Sequence, residues 1–539
     1  MSPVSPAARN DHVVADQNPV FCFLSDPASH HLPPGEKVRR IDTHGAAVFL
    51  AGPFAYKVKR AVYFPFMDFS TLEKRKAACA AEIAISGANA PELYIGVVPI
   101  TRDGDGYALG GAGEVVEYAV KMHRFDPADT LDQVASRQSL DRPLLTALAA
   151  AVAHAHDRAP VRRDHDVVPS LASYLADNRV VFAGQPDLFL PDQASALASM
   201  AERELDRLTP LLRARADLGF VRRCHGDLHL ANIVLLRGAP VLFDAIEFND
   251  DIAICDVLYD LAFLVMDLWQ RGLFAPANGV LNRYLWAQQQ DDALDGLAAL
   301  PFFLSLRAAI RAKVEAAGLA HLAGQEREHA ARRIRRLFQT ARLFLAPEPA
   351  PPEPRPLPPE VTTDFAGTPL TGLFSQARGL VAIGGLSGTG KTTRALRWAP
   401  FIGRAPGAVV LRSDVERKRL FGVPENAPLP EAAYAPQVTA QVYGRLRQLA
   451  ARTLATGQSV IMDAVHARPD ERADAEALAH AIGVPFYGLW LEAPLSVRVE
   501  RVERRLTRRA DASDADADVA RQQQAYDLGS IDWRRLAAG

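Results

Sequence analysis

Between about 38 and 122, apolar positions fall in short runs of strand texture: KVRRIDTHGAAVFLAG, FAYKVKR, LYIGVVPI and EVVEYAVKM. One stretch among them, STLEKRKAACAAEIAIS, carries helical spacing. From about 126 to 345 the pattern is mostly helical, broken once by IVLLRGAPVLFDAIEF, which reads as strand, turn and returning strand. A small mixed sheet followed by a larger helical lobe predicts an α+β domain with a cleft between its lobes. Further on, GLVAIGG, GAVVLRSD, SVIMDA and PFYGLWLEA alternate with helical segments. That alternation predicts an α/β domain with a parallel sheet and helices on both faces. The two textures are divided by APEPAPPEPRPLPPE at 346–360, where proline rules out both helix and ladder and leaves a semi-rigid spacer. The expected division is a loose tail at 1–20, a first domain at 21–345, a linker at 346–365 and a second domain at 366–539. Within the first domain the small lobe covers about 21–122 and the helical lobe about 126–345.

Length and composition agree with this division. A chain of 539 residues is too long for one core, and 49% hydrophobic with 23% charged residues is ordinary globular material. A formal net charge of −2 gives no global attraction to nucleic acid or an anionic membrane. Cys22, Cys79, Cys224 and Cys255 form no CxxC pair, which argues against a disulfide framework or zinc site and fits a reducing cytoplasm. The start, MSPVSPAARNDHVVADQNPV, is polar and proline-bearing and does not read as a signal peptide. The most apolar run, VLYDLAFLVMDLWQ at 257–270, is too short to span a bilayer and carries Asp260 and Asp267, so it reads as a buried helix. A cytoplasmic location is expected, with no membrane partner.

The densest chemistry lies in CHGDLHLANIVLL at 224–236. Asn232 precedes the first strand of the predicted hairpin and Asp244 closes the second, so a hairpin of this length brings them together. Two oxygen donors at one point suit Mg²⁺, which completes its shell with phosphate oxygens and water. Asp227, five residues before Asn232, is a candidate to accept a proton from an attacking hydroxyl. His225 reads as a structural residue of the loop and His229 as a bystander. Asp256 and Asp260 read as helix caps or pairs, and Glu247 is open between a supporting and a solvated role.

HGDLHLAN followed by FDAIEF resembles the aminoglycoside phosphotransferase and choline kinase branch of the protein-kinase fold, over roughly residues 21–345. The resemblance implies that Lys57 in FAYK holds the α/β-phosphates of ATP, with Glu82 as its ion-pair partner. It also implies that EYAVKMHRF at 117–125, with Met122, is the hinge beside the adenine. Lys59 is a rival for Lys57 because both face the same side of a strand. Two departures stand out. No GxGxxG precedes Lys57, so the phosphate-covering loop is expected to be built from Thr43, His44 and Gly45, and DAIE replaces DFG.

GLSGTGKT at 385–392 fits G-x-x-x-x-G-K-[ST] in full, after an apolar run and before a helical one. Gly385, Ser387, Gly388, Thr389, Gly390 and Thr393 are expected to surround the phosphates with backbone N–H groups at a helix N-terminus. Lys391 would reach the β/γ-phosphates, Thr392 would complete the Mg²⁺ shell and Asp463, ending SVIMDA, would hold the metal or its water. Asp414, just past a strand, is a candidate base or acceptor ligand, with an N-cap as the plainer role. Arg417, one turn later, suits an anionic acceptor. Arg501 and Arg505 lie four apart in RVERVERRLTRR, spaced to close over phosphates as a lid. This set resembles the small P-loop kinases that include gluconokinase, chloramphenicol phosphotransferase and polynucleotide kinase. With DASDADADV, the whole chain resembles bacterial proteins that fuse such a domain to an aminoglycoside-phosphotransferase-like one.

The reading is therefore two ATP- and Mg²⁺-using kinase modules, each passing a γ-phosphoryl group to a hydroxyl of a small molecule. The rival makes one module a nucleotide sensor or ATPase switch for the other. A polynucleotide end kinase is less favoured, because no extended basic groove is visible in the sequence.

Overall fold

The computed structural model describes residues 12–346 and 378–537, apart from Pro65, Asp105, Gln289, Arg509 and Ala510. The proline-rich linker and the first part of the predicted tail lie outside the described residues. The chain divides into two compact units, Met1–Ser170 with Ala216–Asp260, and Leu171–Arg215 with Leu261–Gly539.

In the first unit β1 (Arg39–Asp42), β2 (Ala46–Ala51) and β3 (Phe54–Lys59) form a meander. A short ribbon follows, β4 (Tyr63–Phe64) with β5 (Met67–Asp68), and then β6 (Tyr94–Asp103), β7 (Gly106–Leu109) and β8 (Glu114–His123). The antiparallel sheet has the order β1-β2-β3-β8-β6-β7. The helix Leu72–Asn89 starts at Thr71, whose side chain accepts from Lys74 N at 3.3 Å, an N-cap that satisfies an otherwise orphan donor. Cys79 of that helix packs with Leu50, Ala55, Val120 and Met122 on one face of the sheet.

The other face is covered by residues expected to be loose. Gln17 is buried; its side chain donates to Lys59 O at 2.9 Å and Glu117 Oε2 at 2.7 Å and accepts from Ala61 N at 2.7 Å. A helix then runs Asn18–Ser25 and packs Val20, Phe21 and Leu24 against Phe49 and Val58. The tail prediction is thus corrected for residues 12–20. Apolar side chains at 20, 21 and 24 lie one turn apart and cover a sheet face that would otherwise be wet.

Further along this unit, β9 (Val221–Arg223) leads into the 224–232 loop, followed by β10 (Ile233–Leu236) and β11 (Ala239–Leu242), while β12 (Ile254–Asp256) returns to pair with β9. The β10–β11 turn is Arg237-Gly238, both at positive φ (51° and 80°), the pair of angles that a two-residue hairpin turn demands. The second strand ends earlier than predicted. Asp244 lies two residues beyond it, at φ 60°, on a sharp bend.

The second unit holds a helical region and a parallel sheet. β13 (Leu380–Gly384), β14 (Val409–Arg412), β15 (Val460–Asp463), β16 (Phe486–Glu492) and β17 (Arg534–Ala537) take the order β14-β15-β13-β16-β17, all parallel. Register places Asp463 beside both Ile383 and Arg412, so the carboxyl ends of three strands come level, which is where open α/β sheets bind ligands. The helix Phe274–Ala287, which precedes the linker, lies against the outer edge of β14. Asn278 and Asn282 donate to Ala408 O at 3.1 Å, Val410 N donates to Asn282 Oδ1 at 2.7 Å, and Trp286 Nε1 donates to Val410 O at 2.9 Å. Side chains thus satisfy the edge of the sheet. No single helix among the described residues is long and apolar enough to cross a membrane.

Candidate active sites

The first site is assembled on β3, the helix Leu72–Asn89 and the loops around β10 and β11. Lys57 Nζ donates to Glu82 Oε1 at 2.9 Å and also pairs with Asp244. Lys59 Nζ donates to Glu82 Oε2 at 2.5 Å and pairs with Glu247. Two lysines two residues apart on one strand therefore share one fully buried glutamate. The two lysines differ in what lies beyond: Lys57 meets Asp244, whose side chain is 43% exposed, whereas Lys59 is enclosed with Glu247. Glu247 is thus neither solvated nor free. Burial raises its pKa against the pull of Lys59. Tyr94 joins the two sides, because its hydroxyl donates to Glu82 Oε1 at 3.4 Å and accepts from Asp244 N at 3.1 Å. Met122 is buried in the cluster with Ala55 and Tyr94, flanked by Phe125 and Phe243. Thr43, His44 and Gly45 form the tight β1–β2 turn, in which Ala46 N donates to Thr43 Oγ1 at 3.0 Å.

Burial would raise the Glu82 carboxyl, but Lys57 and Lys59 outweigh it and hold it down to about 2. A carboxylate depressed in the folded state stabilises fully above its unfolded pKa, about 4.3. That contribution is lost as pH falls toward about 2. Urea midpoints measured across this window should fall steeply for the wild-type chain. Glu82→Gln should be weaker above the window and flatter with pH, the two curves converging toward pH 2.

In the 224–232 loop, Asn232 Nδ2 donates to Asp227 Oδ2 and to Asp227 O, both at 3.0 Å. Phe243 N donates to Asn232 O at 3.1 Å, so the hairpin does bring the Asn232 and Asp244 ends together. His225 Nδ1 accepts from Asp227 N at 3.3 Å, which leaves Nε2–H to donate to Phe243 O at 2.9 Å. It is the structural residue expected. His229 is not a bystander. Its Nδ1 accepts from Ala231 N at 3.2 Å and its Nε2 lies 3.3 Å from Asp227 Oδ2, so the neutral ring presents a proton to that carboxylate.

Asp260 is the residue that sequence reasoning missed. Rather than capping its own helix, it accepts from His225 N at 3.2 Å, Gly226 N at 2.8 Å and His156 Nε2 at 3.1 Å. Gly226 is at φ 81°, and a Cβ there would crowd Ile246 and Ala253. The signal was available: an aspartate inside the run VLYDLAFLV must find donors or stay out of the core. Asp260→Asn places an amide N–H against loop N–H groups. It should cost about 2 kcal/mol in a urea titration and lower first-site turnover together with stability.

The second site lies at the carboxyl ends of β13, β14 and β15. Gly385 N donates to Val465 O at 3.0 Å and Ser387 N to Gln523 Oε1 at 2.7 Å, which pins the loop from two sides. Thr389 Oγ1 donates to Leu386 O at 2.8 Å. Gly388 is at φ 85°, and a Cβ there would lie 2.5 Å from Arg498 O, so only glycine lets the 495–508 helix approach. Gly390, at φ 89°, caps the helix that runs Lys391–Trp398, with Thr393 exposed in its first turn. Lys391 is half-buried and donates to Leu386 O at 3.2 Å; desolvation lowers its pKa. Thr392 Oγ1 donates to Asp463 Oδ2 at 2.6 Å. Burial raises Asp463, and Arg412 and Lys391 oppose the shift.

Asp414 lies in the first turn of the helix Ser413–Leu420, whose N-cap position is Arg412, so the capping role is set aside. Its charge acts on Lys391, Arg412 and Tyr434. Arg417 is buried. It donates to Ala433 O at 2.6 Å and Thr439 Oγ1 at 3.3 Å, and lies over the Tyr434 ring at 5.0 Å. Arg501 Nη1 comes within 3.9 Å of the place a Cβ would take at Gly390, directly over the loop. Arg505 donates to Ala515 O at 2.7 Å. The acidic stretch after this helix is tied down on the same side, since Asp511 pairs with Arg412 at 2.7 Å and Asp514 with Lys418 at 2.6 Å.

Comparison with known proteins agrees with both halves. The phosphotransferase enzyme family model matches residues 69–300, and an AAA domain model matches residues 380–527. An uncharacterized protein of Mycobacterium tuberculosis is 28% identical over 487 residues, 89% of this chain and 88% of its own. The crystal structure of an aminoglycoside phosphotransferase from Alicyclobacillus acidocaldarius overlaps 64% of this chain and 96% of its own, at 15% identity and TM-score 0.34. That of a gluconokinase from Sinorhizobium meliloti overlaps 30% and 82%, at 18% identity and TM-score 0.21. On the family matches, the chain joins a phosphotransferase enzyme family domain to an AAA-type domain and is an enzyme of the kinase and phosphotransferase class.

Proposed function

We propose that the chain is a bifunctional phosphotransferase that moves the γ-phosphoryl group of ATP to hydroxyl groups of small molecules, with a separate magnesium–ATP site in each half. The observation that carries this reading is the intact charge relay of the first site. Lys57 meets Glu82 and Asp244 together, while Asp227 stays 39% exposed. An ion-paired lysine, a metal-type aspartate and an accessible carboxylate are what phosphoryl transfer requires.

Both donor sets fit Mg²⁺. Asn232 with Asp244, and Thr392 with Asp463, offer hard oxygen atoms only. When bound, the ion offsets charge on the phosphate oxygens. The protein's own groups do the rest. Lys57 and Lys391 hold phosphate, with Arg501 and Arg505 closing over the second triphosphate. Met122 packs beside the base. Asp227 and Asp414 each accept the proton of an acceptor hydroxyl as its oxygen bonds to phosphorus and ADP departs. Arg417 lies on the acceptor side of the second site.

Calorimetry with Mg²⁺ and a non-hydrolysable ATP analogue tests the two-site claim. The intact chain should bind two equivalents, and Lys57→Ala and Lys391→Ala one each. A single equivalent in the intact chain would leave one module without a nucleotide site and remove the two-site claim.

A further inference from the structure

Arg412 ends β14 with its guanidinium 1% exposed, in register beside Asp463. Its Nε lies 3.4 Å from Asp463 Oδ2 and its Nη2 3.4 Å from Thr392 Oγ1, the two side chains assigned to the metal. Among the described residues, Nε and Nη1 have no hydrogen bond of good geometry. A buried cation so placed adds charge to the phosphate end of the site, provided that it is held there.

Its shortest partner is Asp511, 2.7 Å from Nη2, and its Nη1 side is supported through residues from before the linker. Glu425 lies 3.5 Å from Arg412 Nη1 and is gripped by both bonds of Arg283 Nη1, at 2.9 and 3.1 Å. The Trp286 ring lies 5.7 Å from the Arg412 guanidinium, and its Nε1 is bonded to Val410 O of the same strand. Arg419, on the helix after β14, donates to the carbonyls of Leu285, Trp286 and Gln288 at 2.7–2.9 Å and so closes the end of the 274–287 helix. Arg445 continues the contact by bonding both Glu416 and Asp291. These residues all belong to the second compact unit.

We propose that the helix Phe274–Ala287 is a working part of the P-loop site, with Arg283, Trp286 and Glu425 as positioning residues that fix Arg412 beside Thr392 and Asp463. This rests on the reading of residues 385–392 as a magnesium–ATP site. The P-loop module then begins near residue 274 and not after the proline-rich spacer. The match to the phosphotransferase family model, which ends at 300, includes a helix that serves the other site.

The test uses the full-length chain carrying Lys57→Ala, so that binding reports the P-loop site. Mg²⁺ and ATP analogue are titrated separately by calorimetry. Glu425→Gln and Arg283→Ala should weaken magnesium-dependent ATP affinity about tenfold, as loss of support behind a metal ligand does. The conservative changes Arg283→Lys and Trp286→Phe should each keep most of the parent's affinity. In an Arg412→Lys background, Glu425→Gln should have little further effect, because the group it positions is already altered. Weaker urea resistance with unchanged Mg²⁺–ATP affinity, or fully additive effects in the Arg412→Lys background, would overturn the proposal and leave the ATP site standing. Absence of Mg²⁺–ATP binding in the Lys57→Ala parent would remove both.

Discussion

Asp227→Ala is expected to lower first-site turnover by about 10²–10⁴-fold, the usual contribution of a positioned general base. Nucleotide affinity should hardly change, because Lys57, Glu82 and Asp244 remain. The loop should also keep its shape. Its anchors are the backbone bonds of His225 and Gly226 to Asp260 and the His225 ring on Phe243 O, and none of these uses the Asp227 carboxylate. That carboxylate is fixed by Asn232 at 3.0 Å and faced by His229 at 3.3 Å, so it is oriented before any acceptor arrives. Steady-state kinetics in a Lys391→Ala background isolates the effect. A rise in KM with kcat preserved would assign Asp227 to acceptor binding. A large drop in the urea midpoint would make it structural.

Lys391→Ala should cost the second site about 10²–10³-fold in turnover, as expected when one preorganised donor to a developing phosphate charge is removed. Lys391 bonds only the Leu386 carbonyl among the described residues, so two of its protons remain for phosphate. The two sites should also differ with pH. Burial lowers the pKa of Lys391. Burial also acts to lower Lys57, but Asp244, Glu82 and Glu247 outweigh it and raise that pKa well above the ordinary value. As pH rises, the P-loop site should lose its ammonium charge, and its ATP affinity, before the first site does. Fluorescent-nucleotide titrations of Lys391→Ala and Lys57→Ala between pH 8 and 11 compare the sites directly, around the ordinary lysine pKa of about 10.4. Parallel pH profiles would contradict the opposite shifts.

Much of this arrangement was legible in the chain itself. GLSGTGKT carries its own geometry, because its glycines are needed at positive φ and the motif spans a single strand–loop–helix turn. The 224–244 segment is legible for the same reason: Arg237-Gly238 sets a two-residue turn, which brings the ends of a short hairpin together. The exact place of Asp244 was less legible, since the bend after β11 depends on Tyr94 and Ser86, more than 140 residues earlier in the chain.

Local pattern therefore determined the two kinase-type halves, the parallel sheet of the second and the loops that carry the candidate site residues, because these are encoded over spans shorter than a strand and a helix. Tertiary structure alone decided that Lys57 and Lys59 share Glu82, that Asp260 holds the first loop, that residues 12–25 cover a sheet face and that Arg412 is buttressed by Trp286 and Glu425. Each of these joins elements distant in sequence through a buried charge or an apolar face. Such groups must find partners when they leave water, but periodicity along the chain does not say which partner will be there.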